Sequence, residues 1–160
     1  MIRAEKTTPN ADAFRTLIVG GILAIILLLG VDPAARYYDE HLRPRPWISA
    51  EVKILPAKEG KPFVEYSVDA RTLVHATWKA WVENDRGARL CGGSGPGDYS
   101  PSTESPKVWG WASWLGKDCW VPRREFRLCV AYVAELKSQA RAHFGPYCSE
   151  LFRVEPDRPD

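Results

Sequence analysis

Residues 74–91 read VHATWKAWVENDRGARLC, and the period of this stretch decides the fold. Val74, Ala76, Trp78, Ala80 and Val82 share one face of an extended chain, while His75, Thr77, Lys79 and Glu83 share the other. A period of two marks a half-buried strand, because successive Cβ atoms leave opposite faces of the pleat. Asn84-Asp85-Arg86-Gly87 is turn chemistry that closes a hairpin onto a second strand over Ala88–Cys91.

The same period recurs on both sides. Upstream, Ile48, Ala50, Val52 and Ile54 alternate until Pro56 ends the run, and Val64, Tyr66 and Val68 alternate after an Ala57–Pro62 turn whose permissive residue is Gly60. Downstream, Phe126, Leu128, Val130 and Tyr132 form one face, and Cys148, Glu150, Phe152 and Val154 form one face of a last strand. Between them Ala134–Phe144 is rich in helix formers, with Leu136, Ala140 and Phe144 at every fourth position and Gly145-Pro146 as a stop signal. This spacing predicts one short helical insertion; the alternative is a long polar hairpin. About six short strands with turns between them predict an antiparallel β-sandwich over residues 47–155.

The run Phe126-Arg-Leu-Cys-Val-Ala-Tyr132, with a tryptophan-bearing strand (Trp78 or Trp81) before it, resembles an immunoglobulin-like or fibronectin type III-like domain. The resemblance covers most of residues 47–155 and implies a role in adhesion or recognition. It departs from the immunoglobulin pattern in one respect, since no cysteine lies on the strand before Trp78.

Before the domain, Thr16–Val31 reads TLIVGGILAIILLLGV without a charge, between Arg15 and Asp32. Its length falls between the core of a cleavable signal and a full span of about 20 residues. Arg15 and Arg36 can snorkel to extend it, and Tyr37, Tyr38 and Trp47 suit an interface. Cleavage sites ending at Ala34 or Ala35 lack the small-x-small pattern, so an uncleaved anchor over 16–35 is the expectation. Residues 1–15 then form a short tail, 36–46 a proline-containing stalk with a solvated His41, and 156–160 a flexible tail. Gly20 and Ala24 make a small-xxx-small pair through which a second helix can approach closely, giving an oligomer or a membrane complex.

Flanking charge does not orient the span, because Arg3, Lys6 and Arg15 balance Arg36, Arg43 and Arg45. The cysteines do: Cys91, Cys119, Cys129 and Cys148 all follow it, an even set that fits disulfides in an oxidising compartment. The expected pairs are Cys91–Cys119 and Cys129–Cys148. Zinc is the competing reading, but the chain has no Cys-x-x-Cys and no His-x-x-x-His. Neither asparagine sits in a glycosylation acceptor site, which is compatible with a bacterial inner-membrane protein whose N-terminus is cytoplasmic and whose domain is periplasmic. A net charge of +2 with interspersed signs gives no basic stripe and excludes nucleic acid as the expected partner.

No reaction is named by any motif. Gly92-Gly-Ser-Gly-Pro96 lacks the last glycine of a nucleophile elbow, and Gly110–Lys117 has one residue too many for a phosphate loop, with Asp118 where Ser or Thr is required. His41, His75 and His143 are scattered, and Asp98 and Glu104 are loop carboxylates. No catalysis and no cofactor are expected; the lesser alternative is an envelope hydrolase, which a deep polar cleft would favour. Cys91–Pro106 reads as an irregular surface loop, followed by four tryptophans in Val108–Trp120. Tyr99, Trp109, Trp111, Trp114 and Trp120 are therefore the candidate binding residues for a protein or glycan partner, since indoles offer a large apolar face and one donor. The competing assignment makes these rings part of the core.

Overall fold

The computed structural model describes residues 11–56 and 61–153, without the side chains of 11–15, 23 and 26–30. Residues 1–10 of the predicted N-terminal tail, the predicted turn glycine Gly60, Val154 of the predicted last strand and the whole predicted C-terminal tail, 156–160, lie outside the described residues. The first element is a helix, α1 (Ala11–His41), with Pro33 inside it. Seven strands follow: β1 (Ile48–Leu55), β2 (Phe63–Ala70), β3 (Val74–Asn84), β4 (Arg89–Tyr99), β5 (Lys107–Gly110), β6 (Phe126–Glu135) and β7 (Arg141–Cys148). A second helix, α2 (Trp111–Leu115), sits between β5 and β6.

The strands form two antiparallel sheets, of order β1-β2-β5 and β4-β3-β6-β7. Their inner faces share one core. Val52, Val64, Tyr66 and Val68 meet Val74, Ala80, Val82, Leu128, Val130 and Tyr132, as the period of two dictates. A hydrogen bond between the Tyr66 and Tyr132 hydroxyls joins the sheets through the core. Burial pushes both phenols well above the ordinary tyrosine range, so they stay neutral and the bond persists.

Both predicted disulfides are present. Cys129 and Cys148 are directly paired across β6 and β7, and Cys91 bridges to Cys119 with Cα atoms 5.5 Å apart. The cross-sheet disulfide of immunoglobulin domains is absent, as the cysteine positions require.

Three expectations within the sandwich are corrected. First, Cys91–Pro106 is not an irregular loop, because residues up to Tyr99 are strand β4. Gly93, Gly95 and Gly97 alternate on its inner side, and this bare face makes room for aromatic rings supplied from elsewhere. A Cβ on Gly93 would lie 2.4 Å from the Trp114 carbonyl, and one on Gly95 would lie 2.9 Å from the Trp78 indole. Pro96 is tolerated because β4 is a sheet edge.

Second, Ala134–Phe144 is not helical. It completes β6, turns through Leu136–Gln139 and begins β7, closed by bonds from Leu136 N to Ala140 O and from Gln139 N to Leu136 O. Leu136 and Ala140 recur at helical spacing because they face each other across a turn. Third, the last strand ends at Cys148; the Ser149 amide still bonds the Leu128 carbonyl, and among the described residues Phe152 adds an isolated bridge to Phe126. Gly145-Pro146 lies within β7 as a bulge opposite Ala131. Gly145 has φ +97°, and a Cβ there would lie 2.8 Å from the Val130 carbonyl.

The stretch expected as an extended stalk is helical as far as His41. Arg36–Glu40 and Asp39–Arg43 pairs at 2.7 and 2.6 Å follow the i,i+4 rule that supports a helix surface. His41 is exposed and stacks on Tyr37. Asp39 is buried and accepts a bond of 2.6 Å from the Ser138 hydroxyl in the β6–β7 turn, so the end of α1 is tied to the sandwich. Among the described residues, no helix is long and apolar enough to cross a membrane.

Candidate functional site

The five aromatic residues singled out from sequence divide between core and surface. Trp111 is 1% exposed, donates its Nε1–H to the Cys119 carbonyl at 2.9 Å and meets Phe126 edge-on. Trp114 packs between Tyr66 and Trp78, and Tyr99 lies against Tyr132. These three fill the sandwich and present no face to a partner. The short α2 explains the split, because Trp111 and Trp114 are one helical turn apart and point inward together. Trp109 and Trp120 remain at the surface, 42% and 57% exposed. Trp109 pairs with Val64 at the edge of its sheet and does not line the groove described next.

Trp120 does line a cavity. A groove of about 670 Å³ runs between the β3–β4 turn and the segment leading into β6, lined by Asn84–Arg86, Leu90 and Trp120–Glu125. Its turn wall is fixed by Asn84, whose Oδ1 accepts bonds from the amides of Arg86 and Ala88 at 3.1 and 2.8 Å. Sequence chemistry predicted this turn, but not its neighbour. The register shifts at Val82/Glu83, leaving Leu90 as an extra residue between Cys91 and Arg89. A bulge re-aims a side chain, and Leu90 is exposed on the groove side. Pro122 is buried in the opposite wall, while Arg123, Arg124 and Glu125 are exposed.

The groove occupies the end of the sandwich remote from α1. The helix enters at Trp47, and Ser138 and the β2–β3 turn lie at that entry end. From there β3 runs its 11 residues to Asn84, which pairs with Phe126 at the groove. At about 3.3 Å per residue the two ends are roughly 33 Å apart.

Two other constellations are brought together that sequence spacing did not reveal. His75 and Asp98, 23 positions apart, face each other on β3 and β4 with Nδ1 2.5 Å from Oδ1. Cross-strand register is the cause, and both are exposed. A nucleophile on the imidazole would be needed for acyl-transfer chemistry, and among the described residues no bond joins Thr77 or Ser94 to it. Glu83 lies beside Cys129 and Cys148 with all three ligand atoms within 4.8 Å. The sulfurs are joined to each other and offer no thiolate, so the oxidised cluster lacks a zinc donor set. The same patch holds Trp81, buried under the Arg89 guanidinium at 3.9 Å.

No protein-family model matches the chain, and no curated protein matches it. The groove residues Arg86, Leu90, Arg123 and Arg124 were not legible as a site. The adjacent arginines after Val121-Pro122 were their only sequence signal.

Proposed function

We propose that this protein is a single-pass, membrane-anchored recognition module that holds a sandwich of the immunoglobulin-like or fibronectin type III-like kind outside the bacterial inner membrane. Its partner is a protein or an envelope polymer, and no catalysis is assigned to it. The observation that carries this reading is the groove around Trp120, open at the end of the sandwich farthest from α1.

The anchor is assigned to residues 16–35, about 30 Å of helix. It is supported by the uncharged Thr16–Val31 stretch and by the bare sides of α1, where Leu17, Val19, Ile22 and Ile25 are all more than half exposed. The orientation, N-terminus in the cytoplasm and sandwich in the periplasm, is supported by two disulfides after the anchor. The fibronectin-like assignment is favoured by β4, which pairs with β3. In a constant-type immunoglobulin domain the fourth strand joins the opposite sheet. Gly20 and Ala24 are exposed on α1, and among the described residues nothing lies within 4 Å of a Cβ at Gly20, which favours a second role as an assembly contact in the membrane.

The test uses the full chain in a bacterial host. Resistance to alkaline extraction, with the C-terminal domain open to protease only from the periplasmic side, is expected. A photo-crosslinking residue at position 120 should give a saturable adduct, and one at position 77 should not. Release by alkali, or equal labelling at both positions, would defeat the reading.

A further inference from the structure

We propose that the far groove binds an extended, acidic and partly apolar segment of a partner polypeptide, laid along Val121–Glu125. This rests on the recognition reading above and specifies its ligand.

The backbone argues for a peptide. Phe126 exchanges both main-chain bonds with Phe152, at 3.0 and 2.7 Å. Immediately before it, the amides of Val121, Arg123, Arg124 and Glu125 make no hydrogen bond among the described residues. This short row of free main-chain groups leads into β6 through a bend at Arg123–Arg124, and its donors and acceptors can bond an extended peptide lying in the groove. Side chains of an extended peptide alternate, so every second one can meet Trp120 and Leu90, which line the groove.

The charge pattern argues for carboxylates in moderation. Arg86, Arg123 and Arg124 line the groove, and none has a carboxylate partner among the described residues. Guanidinium forks match carboxylates in bidentate geometry. Asp85 and Glu125 share the lining, leaving an excess of one positive charge among these five groups. A uniformly charged polyanion would meet both carboxylates. A strand alternating acidic with apolar residues meets the guanidiniums and the floor while bringing fewer negative charges.

The experiment measures anisotropy of a fluorescein-labelled octapeptide alternating Glu with Phe or Leu, added to the full chain in detergent micelles at low salt. Expected are saturable binding, a loss of roughly tenfold or more when Gln replaces Glu, and a similar loss in the Arg123→Glu/Arg124→Glu chain. Trp120→Ala should also weaken binding by roughly tenfold, and Thr77→Glu on the outer sheet face should not change it. Equal binding of the Gln peptide, no binding of either peptide, or stronger binding of polygalacturonate than of the acidic peptide would overturn the proposal. So would a gain of roughly tenfold or more on removing residues 154–160, which would make the chain's own tail the occupant. Membrane extraction and crosslinking at position 120 fail or hold independently of these titrations, so loss of the acidic ligand and loss of the anchored reading are separable.

Discussion

Trp111 and Trp120 are nine positions apart in one tryptophan-rich window, and replacing each by alanine should have opposite consequences. Trp111 is 1% exposed, and its indole N–H bonds the Cys119 carbonyl at 2.9 Å. Truncating a buried tryptophan costs about 3–5 kcal/mol through lost transfer energy and cavity formation. The carbonyl keeps a second donor, Lys61 Nζ at 3.3 Å, which limits the additional penalty. A total of about 4 kcal/mol is a large part of the ~5–15 kcal/mol that holds such a domain together. With unfolding entropy near 2.1 cal/mol/K per residue, a sandwich of about 100 residues should lose roughly 20 °C in Tm. Trp120 is 57% exposed, so Trp120→Ala should change stability by no more than about 0.5 kcal/mol, roughly 2–3 °C. Differential scanning calorimetry of the full chain in detergent, with disulfides intact, separates the two. A loss below about 5 °C for Trp111→Ala would refute the inward placement of α2.

Other expectations follow from the same geometry. Tyr66→Phe should cost about 1–3 kcal/mol by removing the partner of the buried Tyr132 and Tyr99 hydroxyls, whereas Tyr66→Phe/Tyr132→Phe should recover only part of that loss in a chemical-denaturation cycle, because the Tyr99 hydroxyl is still left without Tyr66. At Asp39, burial raises the carboxyl pKa, but bonds from Ser138 and Arg43 and the Arg43 charge outweigh it and hold the group below the usual aspartate value. A depressed folded value means that the contact with Ser138 stabilises above the ordinary aspartate range and is lost as pH falls through the folded value; in an NMR titration Ser138→Ala should move the midpoint upward. Replacing Cys91 and Cys119 by alanine removes closure of a loop with separation 28, worth about 3.6 kcal/mol in the chain-entropy model, and should lower Tm by roughly 15 °C.

Strands β1, β2, β3 and β6 were legible because each keeps one apolar face against the core, and the Asn84 turn carried its own bonding chemistry. Strand β4 was hidden by composition. Its inner face is bare glycine at 93, 95 and 97, so no apolar side chain announced the period, yet the glycines themselves alternate. Strand β7 was hidden by coincidence, since Leu136, Ala140 and Phe144 match a helix as well as a turn and strand. Ala140, Ala142 and Phe144, all buried, carried the competing period of two. Within the aromatic cluster a one-turn helix directs Trp111 and Trp114 into the core, as the competing assignment has it, and leaves Trp109 and Trp120 at the surface. The site itself depends on a bulge at Leu90 and on register, and neither is written in a local pattern.

The first disulfide explains why the groove exists where it does. Leu90 precedes Cys91, and Trp120 follows Cys119, so the bridge joins the immediate neighbours of the two exposed apolar residues in the groove. With the bridged Cα atoms 5.5 Å apart, the two walls cannot separate far without breaking the bond. Cys119 is itself buried, with its carbonyl held by Trp111 and Lys61, and this anchors the wall that carries Trp120. The inward tryptophan therefore positions the outward one. A ligand meeting prearranged walls gives up less ordering entropy than one that must assemble them. The second disulfide lies on the outer sheet face at Cys129–Cys148 and joins strands already paired, so it supports β6 and β7 but does not tie the groove walls together. Groove function should accordingly depend on the Cys91–Cys119 bond more than stability alone would require.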